Sequence, residues 1–162
     1  MNSLHPSVQR AIDASGGRAI VHDHSSFDVE IKSPNDFSQA VGLPLERISK
    51  SLFLRRRDGG YLVAVLGMTQ RVDFKKLAAF VGAKRVDVAS PEELQATLGY
   101  PRNGVSPIGI SEDVVVIMDR ALFGYPTITV GGGAMGIEVE LAPYDVCAMS
   151  GATVTELAIE TD

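Results

Sequence analysis

A mixed α/β fold with about seven or eight short strands and four or five helices is what this 162-residue sequence predicts. Three observations lead there. Helix starts of the Ser-Pro kind, at Ser33-Pro34 and Ser90-Pro91, are interleaved with short apolar runs of strand length. A turn at Asp58-Gly59-Gly60 joins two such runs as a hairpin. Other runs are separated by helices, as crossovers require, so hairpins and crossovers together call for a mixed sheet rather than a parallel one. Length points to one domain spanning residues 1–162.

Taken in order, Pro6 opens a first helix over 6–15, with Val8, Ala11 and Ile12 on one face and Gly16-Gly17 as its stop. Residues 18–21 form a short strand. His22-Asp23-His24 has an H-x-H spacing, but without a third nearby ligand it reads as a turn or pocket rim rather than a metal site. Ser33 caps a second helix that turns Phe37, Ala40 and Val41 inward and ends at Gly42. Lys50–Arg56 and Tyr61–Leu66 are the hairpin strands, the second apolar enough to be central and buried on both faces. Val72–Val81 is a helix with Phe74, Leu77, Ala78 and Val81 inward, followed by a strand at 84–88. Ser90 and Glu93 form a capping box on the next helix, which runs to Leu98. Strands follow at 114–118 and 127–130. In Gly136–Leu141, Ile137, Val139 and Leu141 alternate with Glu138 and Glu140, the period of a half-buried strand. Pro143 opens a last helix, and 152–159 is a terminal strand or fraying tail.

Composition narrows the function classes. Apolar residues make up 45% and charged residues 22%, the ordinary globular range, and the net charge of −5 argues against a nonspecific nucleic-acid coat. Residues 47–85 nevertheless hold ten Lys/Arg against two Asp, whereas 111–162 hold one Arg against nine acids. That asymmetry permits a polyanion contact on one face; solvated side chains that only aid solubility are the alternative. No apolar run approaches the ~18 residues of a membrane span. The N-terminus lacks a secretory signal, and the single Cys147 fits a reducing cytosol, so the expected location is cytoplasmic.

The stretch 99–109, GYPRNGVSPIG, packs three glycines and two prolines into eleven residues. Such a rigid segment presents backbone N–H and C=O groups to a small polar ligand, or it is a plain turn. Cys147 lacks a neighbouring base and reads as a structural thiol. GGGAMG at 131–136 leads into a strand, so it has no helix N-terminus on which to hold a pyrophosphate. Lys50 starts a strand and would place its ammonium near a pocket mouth, able to donate to a phosphate or carbonyl. Glu138, opposite three core residues, is a solvated carboxylate, a general base or an ammonium-binding group.

Lys50 in ISKSLFL, then VDFKKLAAFVGAKRV, GYPRNGVSPIG and GGGAMGIEVELAP, fall in the order and spacing of the YbaK/prolyl-tRNA synthetase-associated editing-domain family, which the sequence resembles from about residue 5 to 158. The resemblance implies a barrel-like mixed sheet surrounded by helices. It implies an aminoacyl-tRNA deacylase that trans-edits mischarged tRNA(Pro) bearing Ala or Cys, with prolyl-tRNA synthetase as a candidate partner and no cofactor, metal, membrane or DNA partner. Carried over, Lys50 engages the terminal adenosine, and the backbone around Gly104, Ser106, Pro107 and Gly109 positions water or the ribose 2′-hydroxyl. Val105, Gly133 and Glu138 bind substrate. The chain departs from the Cys-deacylating branch at Glu138, where that branch has Asp, and at Ala134 and Met135, where it has basic residues. A non-catalytic RNA- or nucleotide-binding module and a synthetase-associated regulatory protein are the alternatives.

Overall fold

Proline at the first turn starts four of the five helices, and a side-chain cap from Asp73 starts the other. The computed structural model describes residues 1–16 and 18–159; the expected stop at Gly17 lies outside them. The elements run α1 (Pro6–Ala14), β1 (Ile20–Asp23), α2 (Pro34–Val41), β2 (Ser49–Arg56), β3 (Tyr61–Gly67), α3 (Phe74–Val81) and β4 (Val86–Val88). They continue with α4 (Pro91–Leu98), β5 (Val115–Asp119), β6 (Ile128–Gly131), β7 (Ile137–Leu141), α5 (Pro143–Ser150) and β8 (Thr153–Thr155). His5, Ser33 and Ser90 accept from first-turn amides, and Ser90 with Glu93 completes the capping box.

The strands form two sheets rather than one closed barrel. One has the order β4-β2-β3-β5-β8 and is mixed; the other, β1-β7-β6, is antiparallel. Among the described residues a single parallel bridge, Ile48 to Thr129, links them, and the Ser49 hydroxyl donates to the Thr129 carbonyl at 2.6 Å beside it. Between the sheets lies the main core: Val63, Val65, Val116 and Met118 on one side, Ile128, Val130, Val139 and Leu141 on the other. The opposite face of the five-stranded sheet packs Leu54, Leu62, Ala64 and Ile117 under Leu77 and Ala78 of α3. β3 is therefore buried on both faces, as its apolar run demands.

One detail differs from expectation, at the start of α3. Phe74 is 38% exposed, because Val72 leaves the helix to bridge Ala158 and α3 begins only at Phe74. Of the two readings of 152–159, a terminal strand or a fraying tail, the strand is the one found: β8 adds in parallel to β5, and Leu157 is fully buried. Asp119 explains this. Its Oδ1 accepts from the amides of Leu157 (2.8 Å) and Ala158 (3.3 Å), its Oδ2 from Ala121 N–H (3.0 Å) and Gln70 Nε2 (3.1 Å). Asp119→Ala leaves buried donors unpaired and is expected to cost roughly 2–4 kcal/mol. Chemical denaturation checks it; a loss below about 1 kcal/mol would show that the tail is held by Leu157 alone.

Acid sensitivity follows from two other carboxylates. Bonds from the Ser90 amide and the Tyr61 hydroxyl hold Glu93 at about 2 instead of 4.5, and bonds from Ser25 and Asn2 hold Asp23 at about 2 instead of 3.8. Both folded-state values are depressed, so their stabilisation is complete above about 4.5 and disappears as pH falls toward about 2. The melting temperature is expected to fall across that window, and Glu93→Gln to flatten part of the fall. An unchanged slope in Glu93→Gln would contradict the assignment.

Candidate active site

β2 has a bare stretch on one edge. Among the described residues β4 pairs with it only at Leu54–Arg56, and β6 bridges the chain by backbone only at Ile48, with the Ser49 hydroxyl reaching the same Thr129. The gap between them opens into a cavity of about 680 Å³, within the usual ~300–1,000 Å³ of small-molecule sites. Ser49, Lys50, Ser51 and Leu52 all line it. Backbone bonds at Ile48 and Arg56 point toward β3 and its turn, while those at Phe53 and Arg57 point the other way. Strand alternation then directs the N–H and C=O of Ser51 toward the notch. The Ser51 hydroxyl is buried with no hydrogen-bond partner among the described residues, although it lines the cavity. An orphaned buried hydroxyl is unusual and marks a place where a ligand group would be accepted.

Across the cavity stands a polar wall from the non-core face of the three-stranded sheet. Glu138 Oε2 accepts from His24 Nε2 at 2.7 Å, and Glu140 Oε1 from His22 Nε2 at 2.8 Å. Glu140 Oε2 also accepts from Thr127 Oγ1 at 2.6 Å, and Thr127 is held by Arg47 through its carbonyl (2.9 Å) and its hydroxyl (2.5 Å). Burial alone would raise the Glu140 pKa, but the bonds from Thr127 and His22 keep it below the ordinary value. Phe37 of α2 covers both imidazoles, with ring centroids 4.9 Å from His24 and 6.0 Å from His22. The H-x-H pair thus serves two carboxylates, and His24 sits on the cavity rim. At the other side burial, with Arg71 nearby, pulls the Lys50 pKa below its ordinary 10.5.

The glycine-rich loops meet backbone to backbone. A Cβ on Gly131 would strike the Val105 carbonyl, and one on Gly104 would lie 2.7 Å from the Ala134 carbonyl carbon. Gly109, at φ +75°, lies against Ser7, and Gly133 against His5 and Tyr100. The N-terminal segment therefore ties the two loops together: His5 N–H donates to Gly132 O (3.0 Å), Asn2 Nδ2 to Gly136 O (3.0 Å), and Ser7 meets the Tyr100 hydroxyl (3.1 Å). Tyr100 in turn donates to the Ile108 carbonyl at 3.1 Å.

Lys50, Val105 and Glu138, expected at the site, line one cavity together with Arg102 and Asn103 of the proline-glycine segment. Gly104, Ser106, Pro107, Gly109 and Gly133 do not line it. Ser106 is fully buried and accepts from the Ile108 amide, and Gly109 and Gly133 are spent on contacts to α1. These residues shape the wall from behind. His24, read as a turn or pocket rim, does sit on the rim, where strand pairing brings it beside Glu138, whereas Phe37 and Ser51 carried no sequence signal for this cavity, since only strand pairing opens the edge at 51. The basic stretch is also less free than its count suggests: Arg55 pairs with Glu93, Arg56 with Asp58, Arg85 with Asp87 and Lys76 with Glu156.

The profile of the aminoacyl-tRNA editing domain matches residues 28–147. The chain belongs to that family. This editing-domain protein is 32% identical over 125 residues to EbsC of Enterococcus faecalis, provisionally named a Cys-tRNA(Pro)/Cys-tRNA(Cys) deacylase, covering 77% of this chain and 76% of EbsC. It is also 32% identical over 115 residues to the proline–tRNA ligase of Thermosipho melanesiensis, covering 71% of this chain but 19% of the ligase. A solved structure described as a trans-editing enzyme for prolyl-tRNA synthetase, itself a provisional description, superposes with a TM-score of 0.84 at 28% identity, covering 98% of this chain and all of that one. The mixed α/β architecture is shared with it. No helix among the described residues is long and apolar enough to cross a membrane.

Proposed function

We propose that this protein hydrolyses the ester bond of mischarged aminoacyl-tRNA, acting in trans on tRNA(Pro) that carries a small amino acid such as Ala or Cys. The observation that supports this most is the convergence of Lys50, the Arg102–Val105 segment and Glu138 on one cavity in an editing-domain chain. The Lys50 ammonium engages the terminal adenosine end and steadies charge developing on the ester carbonyl. Water, positioned by the loop backbone or by the ribose 2′-hydroxyl, adds to the carbonyl carbon. The bond to the ribose 3′-oxygen then breaks, that oxygen takes the proton, and free amino acid and deacylated tRNA result. An aminoacyl ester is already activated, so positioning and fixed dipoles supply the rate without a covalent enzyme intermediate.

Similarity to a segment of proline–tRNA ligases supports tRNA(Pro) as the substrate and the synthetase as a working partner. The test is deacylation of tRNA(Pro) charged with Ala, Cys, Ser or Pro. Rapid loss of Ala or Cys with Pro retained is expected. Absence of hydrolysis on every mischarged tRNA would end the proposal.

A further inference from the structure

The cavity is electrically two-sided. Lys32, Lys50 and Arg102 supply its cations, and among the described residues that line it Glu138 is the only one with a carboxylate. The end of an aminoacyl-tRNA is two-sided as well, with phosphodiester on one side and the α-ammonium of the amino acid on the other. Glu138 is built to hold one orientation. Its Oε2 is occupied by His24, which leaves Oε1 for a ligand, and its side chain is 17% exposed, so a charge meeting it is only partly screened. His24 is itself fixed, by its amide donating to Gly136 O at 2.8 Å and by the face of Phe37. Behind it the His22–Glu140–Thr127–Arg47 chain anchors the same sheet face.

We propose that the Glu138 carboxylate, oriented by His24 as a positioning residue, receives the α-ammonium of the aminoacyl group, so that the protein selects esters with a free amino group over N-acylated or hydroxy-acid esters. This rests on the deacylase reading and adds the substrate group that the polar wall recognises. Acetylation removes the positive charge and adds bulk. A lactyl group keeps the size of alanyl and loses only the ammonium, so it isolates the charge.

The experiment measures binding by calorimetry of three non-hydrolysable probes, 3′-amino-3′-deoxyadenosine acylated with alanyl, N-acetylalanyl or lactyl, beside deacylation of alanyl- and lactyl-tRNA(Pro). The alanyl probe is expected to bind at least ~10-fold tighter than the lactyl one, the scale of one charge-assisted hydrogen bond. Glu138→Gln should shrink that ratio below about twofold. His24→Ala should raise KM for alanyl-tRNA more than for lactyl-tRNA, narrowing the preference between them, and His24→Gln, which keeps a donor, should restore part of it. Equal affinity of wild-type protein for alanyl and lactyl probes would overturn the proposal, as would Glu138→Gln retaining full discrimination. Discrimination in binding with no hydrolysis of any ester would remove the deacylase reading and leave the ammonium site standing.

Discussion

Lys50→Ala is expected to lower kcat/KM for mischarged tRNA(Pro) by about 100-fold or more, the usual consequence of deleting one donor aimed at developing charge. The loss belongs to chemistry rather than folding. β2 keeps its seven-residue register with β3, from Ser49–Gly67 to Arg55–Tyr61, whatever side chain stands at 50. Thermal denaturation should therefore change little while single-turnover deacylation collapses. The depressed pKa of Lys50 gives a second signature: the ammonium is lost at lower pH than the ordinary 10.5, so probe affinity should weaken on the alkaline side earlier than for a free lysine. Lys50→Arg, which holds its charge, should extend affinity to higher pH. Full activity in Lys50→Ala would remove this residue from the mechanism.

Gly131→Ala is expected to be the most damaging single methyl in the site. The added Cβ meets the Val105 carbonyl, which is backbone and cannot swing aside as a side chain would. Overpacking of this kind costs about 1–3 kcal/mol, and relief can come only by moving the 102–105 wall away from β6. Melting temperature and kcat/KM should thus fall together. Gly124→Ala is the control, since nothing lies within 4 Å of its new Cβ and its φ is not positive. A Gly131→Ala variant as stable and active as wild type would show that the two loops do not brace each other.

Much of the fold could be read locally. The Ser33 and Ser90 caps, the hairpin at Asp58–Gly60 and the alternation through Ile137–Leu141 are decided within a few residues, by dihedral preference and burial period. What sequence reasoning could not reach is non-local. The division into two sheets depends on β6 touching the β2 chain at one bridge, and no turn or period announces that. For the same reason Gly104, Gly109 and Gly133 invited an active-site reading. A glycine needed for close backbone approach looks identical in sequence whether the approaching group is a substrate or residue 7 of the same chain. That Lys50, Val105 and Glu138 line one cavity could be anticipated because each lies at a strand start, loop centre or polar strand face. Ser51 could not, because its relevance comes from a missing strand neighbour, and for His24 the rim position was legible but its partner, 114 residues away, was not.

The N-terminal tie between the loops bears on how this protein should be dissected. The span 28–147 carries the family's recognisable pattern, yet Asn2, His5, Ser7 and Val8, all upstream of it, fill the hollows that Gly109, Gly133 and Gly136 leave. Borders drawn by similarity and borders drawn by cooperativity do not coincide here. A clone trimmed to the matched segment would keep Lys50, Arg102, Val105 and Glu138 and forfeit the N-terminal contacts that brace the loops behind them.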